Sequence, residues 1–240
     1  MTECARCGVI FARLHERDHE REDQPILAPN PPEIPPEPAE DPPVSDWLPE
    51  LLFEVPEAVP PAAFAGRVLL AVFLFLWGCR FLFSSVADNY VASAFLHLVN
   101  LPFHEAGHVV FSFFGDFLHA LGGTLGQLLI PTICMGAFLL YSRDTFGAAV
   151  ALWWLAENFM DIGPYIADAR SGELLLLGGV TGKDVPGYHD WENVLGALGL
   201  LRWDHALGAL SYAWGRVLML AAFAWGGYVL VKQYRNLERR

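Results

Sequence analysis

The sequence predicts an all-α, polytopic membrane protein of about five transmembrane helices, preceded by a small amino-terminal knuckle and a disordered proline-rich linker. Three observations carry that expectation. The 240 residues are 54% hydrophobic and 13% aromatic but only 18% charged, too apolar for an ordinary soluble domain. Charge is segregated: residues 1–60 hold 14 of the 27 acidic residues and 4 of the 15 basic ones, which leaves the remainder near neutrality. Beyond residue 61 the chain falls into apolar runs of about 20 residues, the length a helix needs to cross a bilayer core. No basic face is available to displace counterions from phosphates, so nucleic acid is excluded and the lipid bilayer is the expected partner.

Residues 1–23 form a charged segment containing Cys4-Ala5-Arg6-Cys7-Gly8, one knuckle of a zinc ribbon with no second Cys-x-x-Cys behind it. His15 and His19, four residues apart, offer two further ligands, so Cys4, Cys7, His15 and His19 make a candidate second metal site. The alternatives are a half-ribbon completed by a partner protein and a knuckle without metal. Four cysteines with a single close pair build no disulfide framework, which favours a reducing, cytoplasmic amino terminus. A basic region leading into a short apolar stretch is missing there, so the first hydrophobic span is expected to act as its own insertion signal. Residues 24–61 hold 13 of the 17 prolines and read as an extended, solvated acidic linker that can also meet a protein partner. Trp47, Leu48, Leu51, Leu52 and Phe53 form an apolar patch within it, suited to the bilayer surface or to the protein body.

Residues 62–240 read as the membrane-embedded domain. The hydropathy pattern places spans over 62–83, 91–114, 121–141, 145–167 and 206–231. Arg67 and Arg80 can snorkel from the ends of the first. Between the last two spans, residues 168–205 carry the Gly178-Gly179 and Gly182 breaks and a stretch from Trp191 to Trp203 that is too short to cross, hence interfacial or re-entrant. Orientation is contradictory at this level. Five spans put the chain ends on opposite faces, yet Lys232, Arg235, Arg239 and Arg240 favour the cytoplasm for the tail, and the thiols favour it for the amino terminus.

The second span contains His104-Glu105-Ala106-Gly107-His108, a match to H-E-x-x-H. Residues four apart share one face of a helix, so both imidazoles can reach one zinc ion while the glutamate stands beside the metal's water as general base. Ionisable groups within an apolar helix are costly, by about 2.5–3.5 kcal/mol for a charge at its centre, and mark functional sites. Asn100 followed by Pro102 can end one helical piece and cap another just before His104. A third ligand is required, and the fourth span offers Glu157, Asn158, Asp161 and Asp168. With the amino terminus inside, the second and fourth spans both run toward the cytoplasm and bring His108 and Asp168 to similar depths near that face.

These residues resemble the site-2-protease-like family of intramembrane zinc metallopeptidases. The likeness rests on H-E-A-G-H within a span, the glycine-rich turn Leu121-Gly122-Gly123-Thr124, and a later span with an Asn, a Pro and an Asp, covering roughly residues 91–169. It implies that His104, His108 and Asp168 hold zinc, that Glu105 is the general base, and that Asn158 positions the substrate or stabilises the oxyanion. The family's Asp-Gly pair reads Asp168-Ala169 here, so Asp161 stands as the alternative third ligand. The implied function is hydrolysis of a peptide bond in a membrane-protein or peptide substrate, in a multi-pass protein of a bacterial inner membrane. The alternative function is a zinc-binding scaffold or adaptor without proteolysis.

Other patterns carry less. Gly178-Gly179-Val180-Thr181-Gly182-Lys183-Asp184 has the wrong spacing for a phosphate loop and reads as a turn. His97 reads as a hydrogen-bonding core histidine. His189, Asp190 and Asp204, in the long connection, read as solvated or interfacial groups able to gate a cavity. A transporter is disfavoured because no pair of interrupted half-repeats is visible.

Overall fold

In a computed structural model of the chain, residues 44–237 are described and are all-α, with eight helices and two short 3-10 turns. They are α1 (Val44–Phe53), α2 (Pro61–Leu82), α3 (Tyr90–Ser93), α4 (Phe95–Phe111), α5 (Asp116–Leu140), α6 (Thr145–Ala167), α7 (Asp190–Ala197) and α8 (Asp204–Arg235). Proline at its first position starts α2, where the missing N–H costs nothing. Asp144 caps α6, its carboxylate accepting from the N–H groups of Phe146 and Gly147 at 3.2 and 3.1 Å.

Three helical segments are long and apolar enough to cross a membrane: Pro61–Leu82, Asp116–Leu140 and Leu201–Arg235. Five were expected, and the two shortfalls share one cause. Apolar residues around His104 and around Asp161 make both stretches look like spans, but α4 has only 17 residues and α6 is interrupted by Glu157, Asn158 and Asp161. The polar side chains of α6 are buried against its neighbours. By contrast, only 6% of the most apolar window of α2 is buried, and Leu69, Val72, Phe73 and Leu76 lie exposed on it, the pattern of a lipid-facing rod.

The element edges depart from the sequence reading for local reasons. The expected second span is broken at Ala94, whose backbone is extended, and α4 then runs straight through Pro102. Asn100 does not cap a helix; it is buried in mid-helix with its side chain spent on α6. The expected third span begins five residues early because Gly115, at φ 95°, makes the left-handed turn that L-residues rarely adopt. Leu121-Gly122-Gly123-Thr124 is therefore no turn but part of α5. Gly107 of α4 faces Gly122, and Gly126 faces Phe103, so closely that a Cβ at Gly107 or at Gly126 would strike backbone carbonyl oxygen. Small residues let the two helices pack backbone to backbone in antiparallel sense. Gly178 and Gly179, both at positive φ, do make the expected turn, between the bridged residues Leu175 and Thr181.

A core of Phe81, Val91, Trp153, Met160, Tyr212 and Met219 ties α2, α6 and α8 together. Gly163 meets Gly208, and Gly215 meets Ala156, so α6 and α8 are antiparallel. At the start of α2, the Val59 N–H donates to the Asn236 carbonyl at 3.0 Å, and Leu237 bridges Val59. The bundle is thus entered and left on one face, where α1 also sits, with Leu51 against Leu139 and Ala148. Of the two conflicting orientation signals in the sequence, this arrangement agrees with the basic tail and not with a count of five spans. It also reverses the expected direction of α6, which starts on the face of Val59 and runs away from it, while α4 lies against the far halves of α5 and α6.

Candidate metal centre

His104 and His108 lie one turn apart on α4 and face α5. His108 donates through Nδ1 to the His119 carbonyl at 2.7 Å, and His119 returns a bond from its own Nδ1 to the His108 carbonyl at 3.1 Å. His104 has the side-chain oxygen of Gln127 3.3 Å from its Nδ1. With both Nδ1 atoms occupied, each ring turns its Nε2 outward. Both point at one carboxylate oxygen, Oδ2 of Asp190, at 3.1 Å from His104 and 3.3 Å from His108. These three ligand atoms all lie within 4.8 Å of one another and can hold a metal ion.

The donor set fits a zinc ion. Zn–N and Zn–O bonds of about 2.0–2.1 Å at a tetrahedral centre put neighbouring ligand atoms about 3.3 Å apart. Both contacts to Asp190 are close to that edge length. The space between the rings is made by Gly123, where a Cβ would fall 2.6 Å from His108 Nε2 and equally close to the His104 ring. Any side chain there would fill the cradle.

Asp190 is brought 86 residues along the chain from His104 by the amino terminus of α7. The Tyr165 hydroxyl, at the far end of α6, donates to Asp190 Oδ2 at 2.9 Å and accepts from the Asp190 N–H at 3.1 Å. Trp191 donates to the Thr124 hydroxyl on α5 at 3.2 Å, and His189 caps the helix by accepting from the Glu192 N–H at 3.3 Å. Burial opposes ionisation of Asp190, but the hydrogen bonds from His104 and His108 outweigh it and hold the carboxyl below the ordinary carboxylate range. Burial also pushes the His189 imidazole down, against the pull of Asp168 and Asp190.

These groups border a cavity of about 1040 Å³ whose walls include His104, Glu105, His108, Tyr165, Asp190 and Leu174–Leu177. Glu105 is half-buried and borders the same cavity.

The other expected site residues are elsewhere. Asp168 ends α6 and binds the following loop: its carboxylate accepts from the Ser171 hydroxyl at 2.6 Å and from the N–H groups of Glu173 and Leu174 at 3.0 and 2.9 Å. It has few lone pairs left for a metal, and it does not join the histidine pair. Asp161 borders the cavity but is taken up by His97, Asn100 and Gln127 at 2.9, 3.3 and 2.8 Å. Asn158 is fully buried and donates to the Asn100 side chain and the Trp154 carbonyl, away from the cavity wall. Cys4, Cys7, His15 and His19 lie outside the described residues. Sequence reasoning missed Asp190, Tyr165 and Gln127. For Asp190 a signal existed, since His189-Asp190-Trp191 opens an amphipathic stretch with a capping residue, an acid and an aromatic anchor.

No family model matches this sequence, and neither the curated proteins nor the solved structures searched contain a match.

Proposed function

We propose that this chain is a membrane-embedded zinc metallopeptidase that hydrolyses a peptide bond of a membrane-associated polypeptide. The observation that carries the reading is the convergence of His104 Nε2, His108 Nε2 and Asp190 Oδ2 beside Glu105 at a large cavity. His104, His108 and Asp190 would hold the ion, in place of the Asp168 or Asp161 suggested by the resemblance to site-2-protease-like enzymes. Zinc, when bound, supplies Lewis acidity that polarises a carbonyl and makes water a nucleophile near neutral pH.

The chain's own groups do the rest. Glu105 takes the proton of the attacking water and delivers it to the leaving amide nitrogen, the exchange a half-exposed carboxylate at the cavity wall can make. Tyr165 keeps Asp190 turned toward the histidines. Leu174–Leu177 and Phe117 give the cavity apolar walls against which an extended or unwound peptide can lie. Lys232 and Arg235 share the face of Val59, which by the positive-inside rule supports a cytoplasmic location for both ends of the bundle.

The decisive variant is Glu105→Gln. It should keep bound zinc yet lower cleavage by about 10²–10⁴-fold, the usual contribution of a general base, and uncleaved membrane protein should accumulate in cells that carry it. Equal cleavage by variant and wild type would overturn Glu105 as general base, and no cleavage by either would leave only a zinc-binding scaffold.

A further inference from the structure

The two histidines of the site are held in different ways. His108 gives its Nδ1 proton to a backbone carbonyl, which can only accept, so in the neutral ring the lone pair is left on Nε2, the atom that faces Asp190. His104 faces the primary amide of Gln127, whose two ends are interchangeable by a half-turn. Were the NH₂ end toward the ring, Nδ1 would carry the lone pair and Nε2 the proton, which is useless to a metal.

Something must therefore hold the amide. Gln127 is buried at 4% exposure, and its Nε2 donates to Asp161 Oδ2 at 2.8 Å. An ionised carboxylate has no proton to give, so it accepts only the NH₂ end. Asp161 is itself oriented: His97 Nδ1 lies on its Oδ1, and the Asn100 amide donates to its Oδ2. Asn100 in turn is fixed by the Trp154 indole, a pure donor, at 2.9 Å from its Oδ1. The Asn158 amide reaches the same oxygen at 3.3 Å. The bonds thus converge on Asp161 from two sides, Trp154 donating to Asn100 and Asn100 to Asp161, while His104 donates to Gln127 and Gln127 to Asp161.

We infer that Asp161 and Gln127 are positioning residues that set the tautomer of His104 for metal binding, and that Asp161 is not a ligand. The inference rests on the zinc site proposed above but not on proteolysis, because its measurement is metal affinity alone. Outer-shell partners of metal-bound histidines hold the ring's tautomer and direction, and removing them costs about 10–100-fold in affinity.

The test titrates zinc into the detergent-solubilised full chain, stripped of metal and carrying Cys4→Ser and Cys7→Ser, which removes the candidate thiol ligands of the amino terminus, against a chelator of known affinity. Asp161→Asn can donate as well as accept, so it frees the Gln127 amide to turn over; it should still bind one equivalent of zinc but about tenfold or more weakly. The double variant Asp161→Asn with Gln127→Glu should regain most of that loss. Its introduced carboxylate accepts from His104 at one oxygen and from the introduced amide at the other, with no end to reverse. A merely structural role, or a ligand role for Asp161, would not be rescued by the second change. Wild-type affinity in Asp161→Asn, or an unrescued loss in the double variant, overturns the inference. A wild-type chain that binds no zinc overturns the metal site itself, whereas a zinc-binding chain whose Glu105→Gln variant still cleaves overturns only the peptidase reading.

Discussion

Two polar clusters lie within the far half of this bundle, and both contain acid and histidine. In the buried layer, Asp161 has each carboxylate oxygen engaged by a donor, and Asn100 spends both ends of its amide. At the cavity, the two Nε2 atoms and the Asp190 carboxylate have, among the described residues, one another and the Tyr165 hydroxyl as partners, and the three candidate ligand side chains keep 12–17% of their surface exposed. The contrast teaches that charge within an apolar helix does not identify a ligand. Uncommitted lone pairs that converge at an accessible wall do.

The comparison is broken most sharply by exchanging carboxylates for amides on either side of it. Asp190→Asn should weaken zinc binding beyond the roughly 10–100-fold that an outer-shell change produces. Asp168→Asn should leave affinity within about threefold while lowering the stability of the chain by about 1–3 kcal/mol, the cost of leaving buried donors without their acceptor. Chelator competition and thermal unfolding in detergent read the two effects. If Asp168→Asn loses the metal and Asp190→Asn does not, the assignment made here is wrong.

A smaller effect is expected at Gly123→Ala. Alanine favours a helix over glycine by about 0.8–1 kcal/mol, yet here its Cβ would press on both imidazoles, and overpacking costs about 1–3 kcal/mol. The two nearly cancel in stability, so zinc affinity is the discriminating readout and should fall about tenfold or more. Unchanged affinity would mean that the rings have room to retreat. The smallest change is Thr124→Val, which removes the anchor of Trp191 and should cost about 0.5–1.5 kcal/mol, with a few-fold loss of zinc as α7 loosens from α5. A loss as large as that of Asp190→Asn would show that α7 is held there by this one bond.

Part of this arrangement was legible in the residues. His104, Glu105 and His108 declare themselves because a helix turns a four-residue spacing into a shared face, and α2 declares itself because nothing polar interrupts it. Asp190 shows in the sequence only as part of an amphipathic stretch, since no local period links it to α4 and the tertiary return of the 168–189 connection brings it in. Asp161 and Asp168 stand out in the sequence by their depth and spacing, which say nothing of their hydrogen-bond partners, such as Gln127 and the Leu174 N–H, on other segments. Three segments qualify as spans where five were expected, because α4 has only 17 residues and α6 carries Glu157, Asn158 and Asp161 among its apolar residues.

The pairing of Val59 with Leu237 has a consequence for where the site sits. Helices α5 and α6 separate that seam from Gly123 and Tyr165, and the loops bordering the cavity belong to the distal rim. The candidate metal centre and the seam that joins the first and last helices therefore lie at opposite ends of α5 and α6.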